Sequence, residues 1–258
     1  MLNRDEALAV FDRELRREAA PDGPDSRVER AGDVVRQVGP EHGWNGVLWS
    51  GLDPAGADAA IAGQVRYFGR LGRPFEWKLY GHDLPADLDR RLLAAGFTAE
   101  PPETLMVAEA AQIADEPAGV LPEEVRLVPV TGQEEVELVA DVHDLVFGAT
   151  RDHIRQRLLA QLAAGTVIAV VAMAGDVPIS AARMDLHPGT RFASLWGGGT
   201  APEWRGRGVY RALVAYRARE AVARGHRYLQ VDASGLSRPI LERLGFASLT
   251  TTTPYVHP

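Results

Sequence analysis

The sequence contains no cysteine, which excludes disulfides, zinc–thiolate sites and a thiol nucleophile. No stretch approaches the roughly 18 consecutive apolar residues of a membrane-spanning helix. The opening Met-Leu-Asn-Arg-Asp-Glu lacks the apolar core of a signal peptide. A cytoplasmic protein without a membrane partner is therefore expected. Clustered positive charge is lacking too: 28 basic residues stand against 35 acidic ones, a net charge of −7. A general nucleic-acid binder needs the opposite balance, so no nucleic-acid partner is expected, and no metal site is. What is present is apolar. With 46% hydrophobic residues over 258 positions, the chain can fill one large or two modest cores.

The chain also repeats itself, which bears on the fold before any single element does. Leu48-Trp49-Ser50-Gly51 returns as Leu195-Trp196-Gly197-Gly198, and Pro54 and Pro202 follow. Further on, Leu93-Ala94-Ala95-Gly96-Phe97 is answered by Glu242-Arg243-Leu244-Gly245-Phe246, and the offset stays between 147 and 149 residues throughout. A duplicated fold is expected, with domains at 1–110 and 124–258 and an Ala/Pro/acid-rich linker at 111–123.

In the second half, Val125–Val130 reads as a strand, and Gln133–Phe147 and Arg151–Ala163 as helices. Thr166–Met173 and Val177–Leu186 read as strands joined by a Gly175-Asp176 turn. Phe192–Thr200 is the next strand; Val209, Ala212, Leu213 and Tyr216 then recur at helical spacing, and Gly225 marks the stop. Tyr228–Asp232 and Leu249–Val256 read as strands, and Ser237 caps a helix with Pro239 in its first turn. Strands, hairpins and intervening helices describe an α/β (α+β) chain with a mixed sheet.

Gly199 to Tyr210 joins strand to helix. Glycines at 206 and 208 let the backbone turn tightly and let a ligand approach without a Cβ in the way. The helix start offers unpaired N–H groups and positive dipole, and Arg205 and Arg207 add charge, which together suit a pyrophosphate. The same residues also fit a glycine-rich connection with two solvated arginines. A P-loop is excluded because no Gly-Lys-Ser/Thr occurs, and a dinucleotide fingerprint because Arg211 stands where its third glycine belongs.

Glu203-Trp204-Arg205-Gly206-Arg207-Gly208 resembles the signature of the GNAT acetyltransferase superfamily, Gln/Arg-x-x-Gly-x-Gly/Ala, with glutamate in the first place. Pro202, Val209, Leu213 and the ending Glu-Arg-Leu-Gly-Phe are similar to the family's flanking pattern, and the likeness runs over about residues 124–257. It implies two tandem GNAT-like domains, each a mixed, mainly antiparallel sheet flanked by helices. It implies acetyl-CoA as cosubstrate, its pantetheine arm along the backbone of Gly199 and Thr200. The amides of Arg205, Gly206, Arg207, Gly208, Val209 and Tyr210 would hold the pyrophosphate, and Ser234 would reach the cofactor or else cap a turn. The implied activity is direct acetyl transfer to a primary amine of a small molecule or peptide. In the first half, Ala55-Gly56-Ala57-Asp58 has no Gly-x-Gly and no arginine, and Asp58 would repel a phosphate. That half is expected to be structural.

The proton carriers are less visible. Leu241 stands where many relatives have a tyrosine acid, and Phe192–Thr200 carries no carboxylate. Asp185 is the candidate base, on the neighbouring strand with His187. His143, Asp144, Asp152 and His153 read as solvated helix residues and Tyr216 as core. Tyr255 and the Thr250–Thr253 run read as strand surface, with Tyr255 a substitute acid at most. Two other classes fit the same residues: a non-catalytic acyl-CoA-binding regulatory protein, and a tandem acyl or aminoacyl transferase for a larger substrate.

Overall fold

The structure is a computed structural model that describes residues 2–23, 25–40, 43–115, 121–148 and 151–258, although the side chains of 151–153 are outside the description. The centre of the expected linker, 116–120, and the side chains of Asp152 and His153 therefore lie outside the described residues. Two compact units form: Met1–Met106 with Asp232–Ile240 and Ala247–Pro258, and Val107–Val231 with Leu241–Phe246.

The first unit opens with helix α1 (Arg4–Phe11), capped by the Asn3 side chain, which continues as a π-helical turn, Asp12–Arg17. Strands β1 (Arg27–Ala31), β2 (Val34–Val38) and β3 (Gly46–Ser50) precede helix α2 (Ala57–Leu71) and strand β4 (Phe75–Tyr80). Helix α3 (Leu88–Ala94) and strand β5 (Thr98–Ala99) follow. The sheet order is β1-β2-β3-β4, antiparallel except for the β3–β4 pair. The C-terminal strand of the chain, Ala247–His257, pairs antiparallel with β4 and with β5. Phe68 of α2 stacks on Phe75 at 4.3 Å between centroids, and Trp77, Leu88, Leu92 and Phe97 complete this core.

Within strand β6 (Glu103–Glu109) the chain passes into the second unit and continues as helix α4 (Ala110–Asp115). Then come strand β7 (Val125–Pro129), helices α5 (Gln133–Phe147) and α6 (Arg151–Ala164), and strands β8 (Val167–Ala174), β9 (Val177–Leu186) and β10 (Phe192–Thr200). Helix α7 (Val209–Ala223) and strand β11 (Tyr228–Ala233) lead to helix α8 (Arg238–Arg243) and the last strand, β12 (Ala247–His257). The order in this unit is β11-β10-β9-β8-β7, parallel only between β10 and β11. Strand β8 is apolar along its whole length because both faces are covered. Val167, Ala169 and Val171 pack with Val136, Val139 and Leu158 of α5 and α6, while Val170 and Ala172 pack with Val209 and Leu213 of α7. Helix α5 starts where the Glu135 carboxylate reaches back to the Gly132 amide, 2.9 Å away.

The first unit holds two inward ion pairs. Arg16, 2% exposed, donates from Nη2 to both Asp83 oxygens at 2.8 and 2.7 Å, donates from Nε to the Leu48 carbonyl, and lies over the Tyr80 ring. Lys78, the chain's single lysine, pairs with Asp232 at 2.7 Å. No helix among the described residues is long and apolar enough to cross a membrane.

Removing one member of a buried ion pair strands the other. Arg16→Ala is expected to lower the unfolding free energy by about 3–5 kcal/mol, read as a shift in the urea midpoint. A shift no larger than that of an exposed arginine variant such as Arg13→Ala would show that Asp83 is resolvated without cost.

Candidate functional site

The second unit is organised around an irregularity in β10. Its pairing with β9 runs from Ala193↔Leu186 to Trp196↔Arg183 and resumes at Gly199↔Ala181. Gly197 and Gly198 thus oppose one residue, Ala182, and form a β-bulge with N–H groups outside the ladder. Gly197 takes a left-handed φ of +58°, which disfavours any side chain. On its other side β10 pairs with β11 only from Phe192↔Tyr228 to Ser194↔Gln230.

Helices press on the bulge from both faces. A Cβ at Gly197 would stand 2.8 Å from His143 Nε2, one at Gly198 2.9 Å from the Tyr210 ring, and one at Gly199 2.9 Å from the Phe147 ring. The run of three glycines is thus a close-approach requirement. Beside the bulge, the fully buried Arg217 donates from Nη1 to the Arg183 carbonyl at 3.0 Å and from Nε to Leu213 O. Burial pushes the Arg217 guanidinium down to about 10, with Tyr210 acting the other way.

After β10 a 3₁₀ turn, Pro202–Trp204, leads into Gly206 and Gly208, with φ of +74° and +82°. Gly208 is the N-cap of α7 and no side chain caps the helix, so its first-turn N–H groups are available to an anion. Arg207 lies over the Trp204 ring, 4.9 Å from its centroid. Arg205 Nε donates to the Thr200 carbonyl at 3.1 Å. Ser180 Oγ donates to the Gly199 carbonyl at 2.7 Å and is 2.8 Å from Thr200 Oγ1. Gly199, Thr200 and Arg205 to Tyr210 therefore come together in one unit. Val209 is buried among core residues, and burial raises the Tyr210 phenol while Arg217 opposes the rise. Ser234 lies in a segment of the other unit, where its Oγ accepts from the Ser237 amide and the two hydroxyls stand 3.2 Å apart. This is the geometry of a turn cap.

Asp185 is opposite Ser194, about 10 Å along the strand from Gly197. Its carboxylate accepts from Gln161 Nε2 at 3.3 Å, with Arg157 at 3.6 Å and Arg183 at 4.0 Å. His187 Nε2 is 2.8 Å from Ser194 Oγ. Burial lowers the His187 pKa, only partly offset by Asp185. Leu241, in α8, is fully buried.

His143 departs from its expected place in solvent. It is half-buried, its Nε2 lies against Gly197, its ring is 4.9 Å from that of Phe147, and its Nδ1 is buried without a hydrogen-bond partner. Burial lowers its pKa and the nearby Arg183 charge lowers it further, against smaller opposing effects of Asp144 and a Gly197 backbone contact. A histidine four residues before Phe147 on a helix shares its face, a signal the sequence held.

In the first unit the loop before α2 carries acid instead. The Gly56 amide donates to Asp53 Oδ1 at 2.7 Å, and Asp58, in the first turn of α2, pairs with Arg91 at 2.9 Å. Trp49 fills the space beside Gly51, where a Cβ would come within 2.4 Å of its ring.

The close approach at β10 has a measurable form. Gly199→Ala is expected to destabilise the chain by about 1–3 kcal/mol through overlap with Phe147 and Val146. Phe147→Ala in the same chain should return part of that loss, because the two sites are in contact. Additive urea midpoints in the double variant would show that the ring does not set the limit.

No protein-family model matches the chain, and no curated protein matches it in sequence. Solved structures do match in shape. A GCN5-related N-acetyltransferase from Kribbella flavida superposes with a TM-score of 0.71 at 20% identity, over 99% of this chain and 94% of that one. A tandem GNAT protein from the clavulanic acid biosynthesis pathway gives 0.66 at 13% identity, over 99% and 95%. A GCN5-related N-acetyltransferase from Sphaerobacter thermophilus gives 0.61 at 13%, over 89% and 81%. Likeness of this extent over both units shows that the chain has the tandem GNAT fold.

Proposed function

We propose that the chain is an acetyl-CoA-dependent N-acetyltransferase with its reaction centre in the second unit, acting by direct transfer on a primary amine of a small molecule or peptide. One observation carries this reading: the uncapped N-terminus of α7, entered through Gly206 and Gly208, follows directly on a strand opened by the Gly197–Gly198 bulge. Converging amides and the helix dipole suit a pyrophosphate, and the bulge supplies backbone N–H groups free to stabilise an oxyanion. The tandem GNAT protein of the same fold is described as a form without AcCoA, which makes that thioester the first cosubstrate to test.

Acetyl-CoA supplies an activated thioester carbonyl. The protein has to supply alignment and a proton acceptor, because only about one alkylamine in a thousand is neutral at pH 7. Two side chains compete for that role. Asp185, the expectation from sequence, is engaged by Arg157, Arg183 and Gln161 and stands opposite Ser194, three residues along the strand from the bulge. His143 is the better placed: it touches the bulge, and burial and Arg183 keep it neutral at pH 7. Its conjugate acid, destabilised by the same two causes, would readily pass the proton on. In this reading Asp185 positions Arg183 and does not touch substrate.

Two measurements test the proposal. Calorimetry should give one acetyl-CoA site per chain, and ligand at a hundred times its dissociation constant should add about 2.7 kcal/mol of stability. Gly206→Val and Gly208→Val should abolish both signals, since valine does not tolerate these φ values. Two equivalent sites, or an unchanged shift in both variants, would place the cradle elsewhere.

For the proton, the folded pKa of His143 lies below 6.5, so turnover should hold near pH 7 and fall as pH drops through that lowered value. His143→Ala should cost roughly 10²-fold in kcat and remove this acidic limb with acetyl-CoA affinity kept. If Asp185→Asn removes the limb and His143→Ala does not, the base is Asp185.

A further inference from the structure

The first unit holds an open pocket of about 430 Å³ between the Gly81–Ala86 loop, the start of α3 and strand β12, a size that suits a small-molecule ligand. Its lining includes the apolar Leu79, Leu84 and Leu88 and the polar Asp89, Thr253 and Tyr255. Tyr255 is not strand surface as the sequence suggests: it is 7% exposed and packs into the core of this unit. Among the described residues the Tyr255 hydroxyl, the Asp89 carboxylate and the Thr253 hydroxyl make no hydrogen bond or ion pair. The Tyr255 ring is packed in the core while its hydroxyl stays open at the pocket, so the oxygen is available to a ligand.

The charge around the pocket decides what it suits. No lysine or arginine lines it. Asp83, also in the lining, is neutralised by Arg16, and His82 is held by Asp12 at 2.7 Å. Asp89, in the first turn of α3, has no side-chain cation paired with it among the described residues. Burial raises the pKa of Tyr255, and the neighbouring Asp89 charge adds to the rise, so the phenol stays protonated and its oxygen is an acceptor to a cation. A primary ammonium has three N–H donors, and this pocket offers a carboxylate, a phenol oxygen and a threonine oxygen beside a leucine wall.

We propose that this pocket binds a small primary ammonium ion with an apolar body, at a site in the first unit separate from the α7 cradle. Binding there requires no acyl-CoA, so it stands or falls independently of the acetyltransferase reading.

Phenethylamine is a suitable probe, with 2-phenylethanol as its uncharged counterpart of the same shape. Titrated calorimetrically into the full chain without acyl-CoA, the amine should bind at least about 10-fold more tightly than the alcohol, the value of one charge-assisted contact. Asp89→Asn should remove that preference and Tyr255→Phe should reduce it. Asp89→Asn keeps the side-chain shape on the surface of α3, and unchanged circular dichroism and unfolding midpoint establish that it folds. Equal affinity for amine and alcohol, no binding of the amine at millimolar concentration, or a preference that survives Asp89→Asn would each overturn the proposal.

Discussion

The close approach of α5 and α7 to the backbone of β10 governs the second unit. His143 and Phe147 reach the strand from one face and Tyr210 from the other, and only glycine leaves room for them. Widening the strand by one residue turns backbone N–H groups away from β9, and the chain then has to turn sharply into α7. The opening of the strand, the uncapped start of α7 and the buried imidazole are consequences of one packing arrangement. A side chain added at any of the three glycines would disturb all of them.

A bulge also disturbs the carbonyls around it, and the two units meet this in the same way. In the first unit β2 and β3 slip at Leu48, between Val35↔Trp49 and Arg36↔Val47, and buried Arg16 donates to the Leu48 carbonyl at 3.0 Å. In the second, buried Arg217 donates to the Arg183 carbonyl. The counter-charges differ. Arg16 has Asp83 and Asp12, whereas Arg217 relies on backbone oxygens and leaves Nη2 without a partner. Its lowered pKa is the electrostatic trace of that difference.

Much of this was legible in the residues. The bounds of α5, β9 and β10 coincide with the sequence reading because strong local signals fix them: Glu135 reaching back to Gly132, and Gly175 with φ of +58° in the turn. The sharp turn from β10 into α7 was legible because glycine at 206 and 208 answers a backbone need. His143 was not, since helical spacing gives a face but not what that face meets. Nothing in the sequence marks Arg217 as buried; its place is set by the Leu213 and Arg183 carbonyls it meets inside. Tyr255 follows a threonine run that looks solvent-facing, and its burial depends on α3 packing over β12. The repeat offset likewise says nothing of which sheet the last strand joins. That is set by pairing with β4, more than 160 residues away in sequence.

The burial of Lys78 has a consequence for the chemistry around it. Burial alone would strip its proton, but Asp232, with Tyr80 and Glu76 behind it, outweighs burial and raises its pKa. Acyl thioesters modify neutral, accessible amines wherever they meet them. As the sole lysine of this sequence is a protonated, ion-paired group, the folded chain presents no lysine for self-acylation. By the same reasoning, amine-directed dyes and crosslinkers will find no reactive lysine on it until it unfolds.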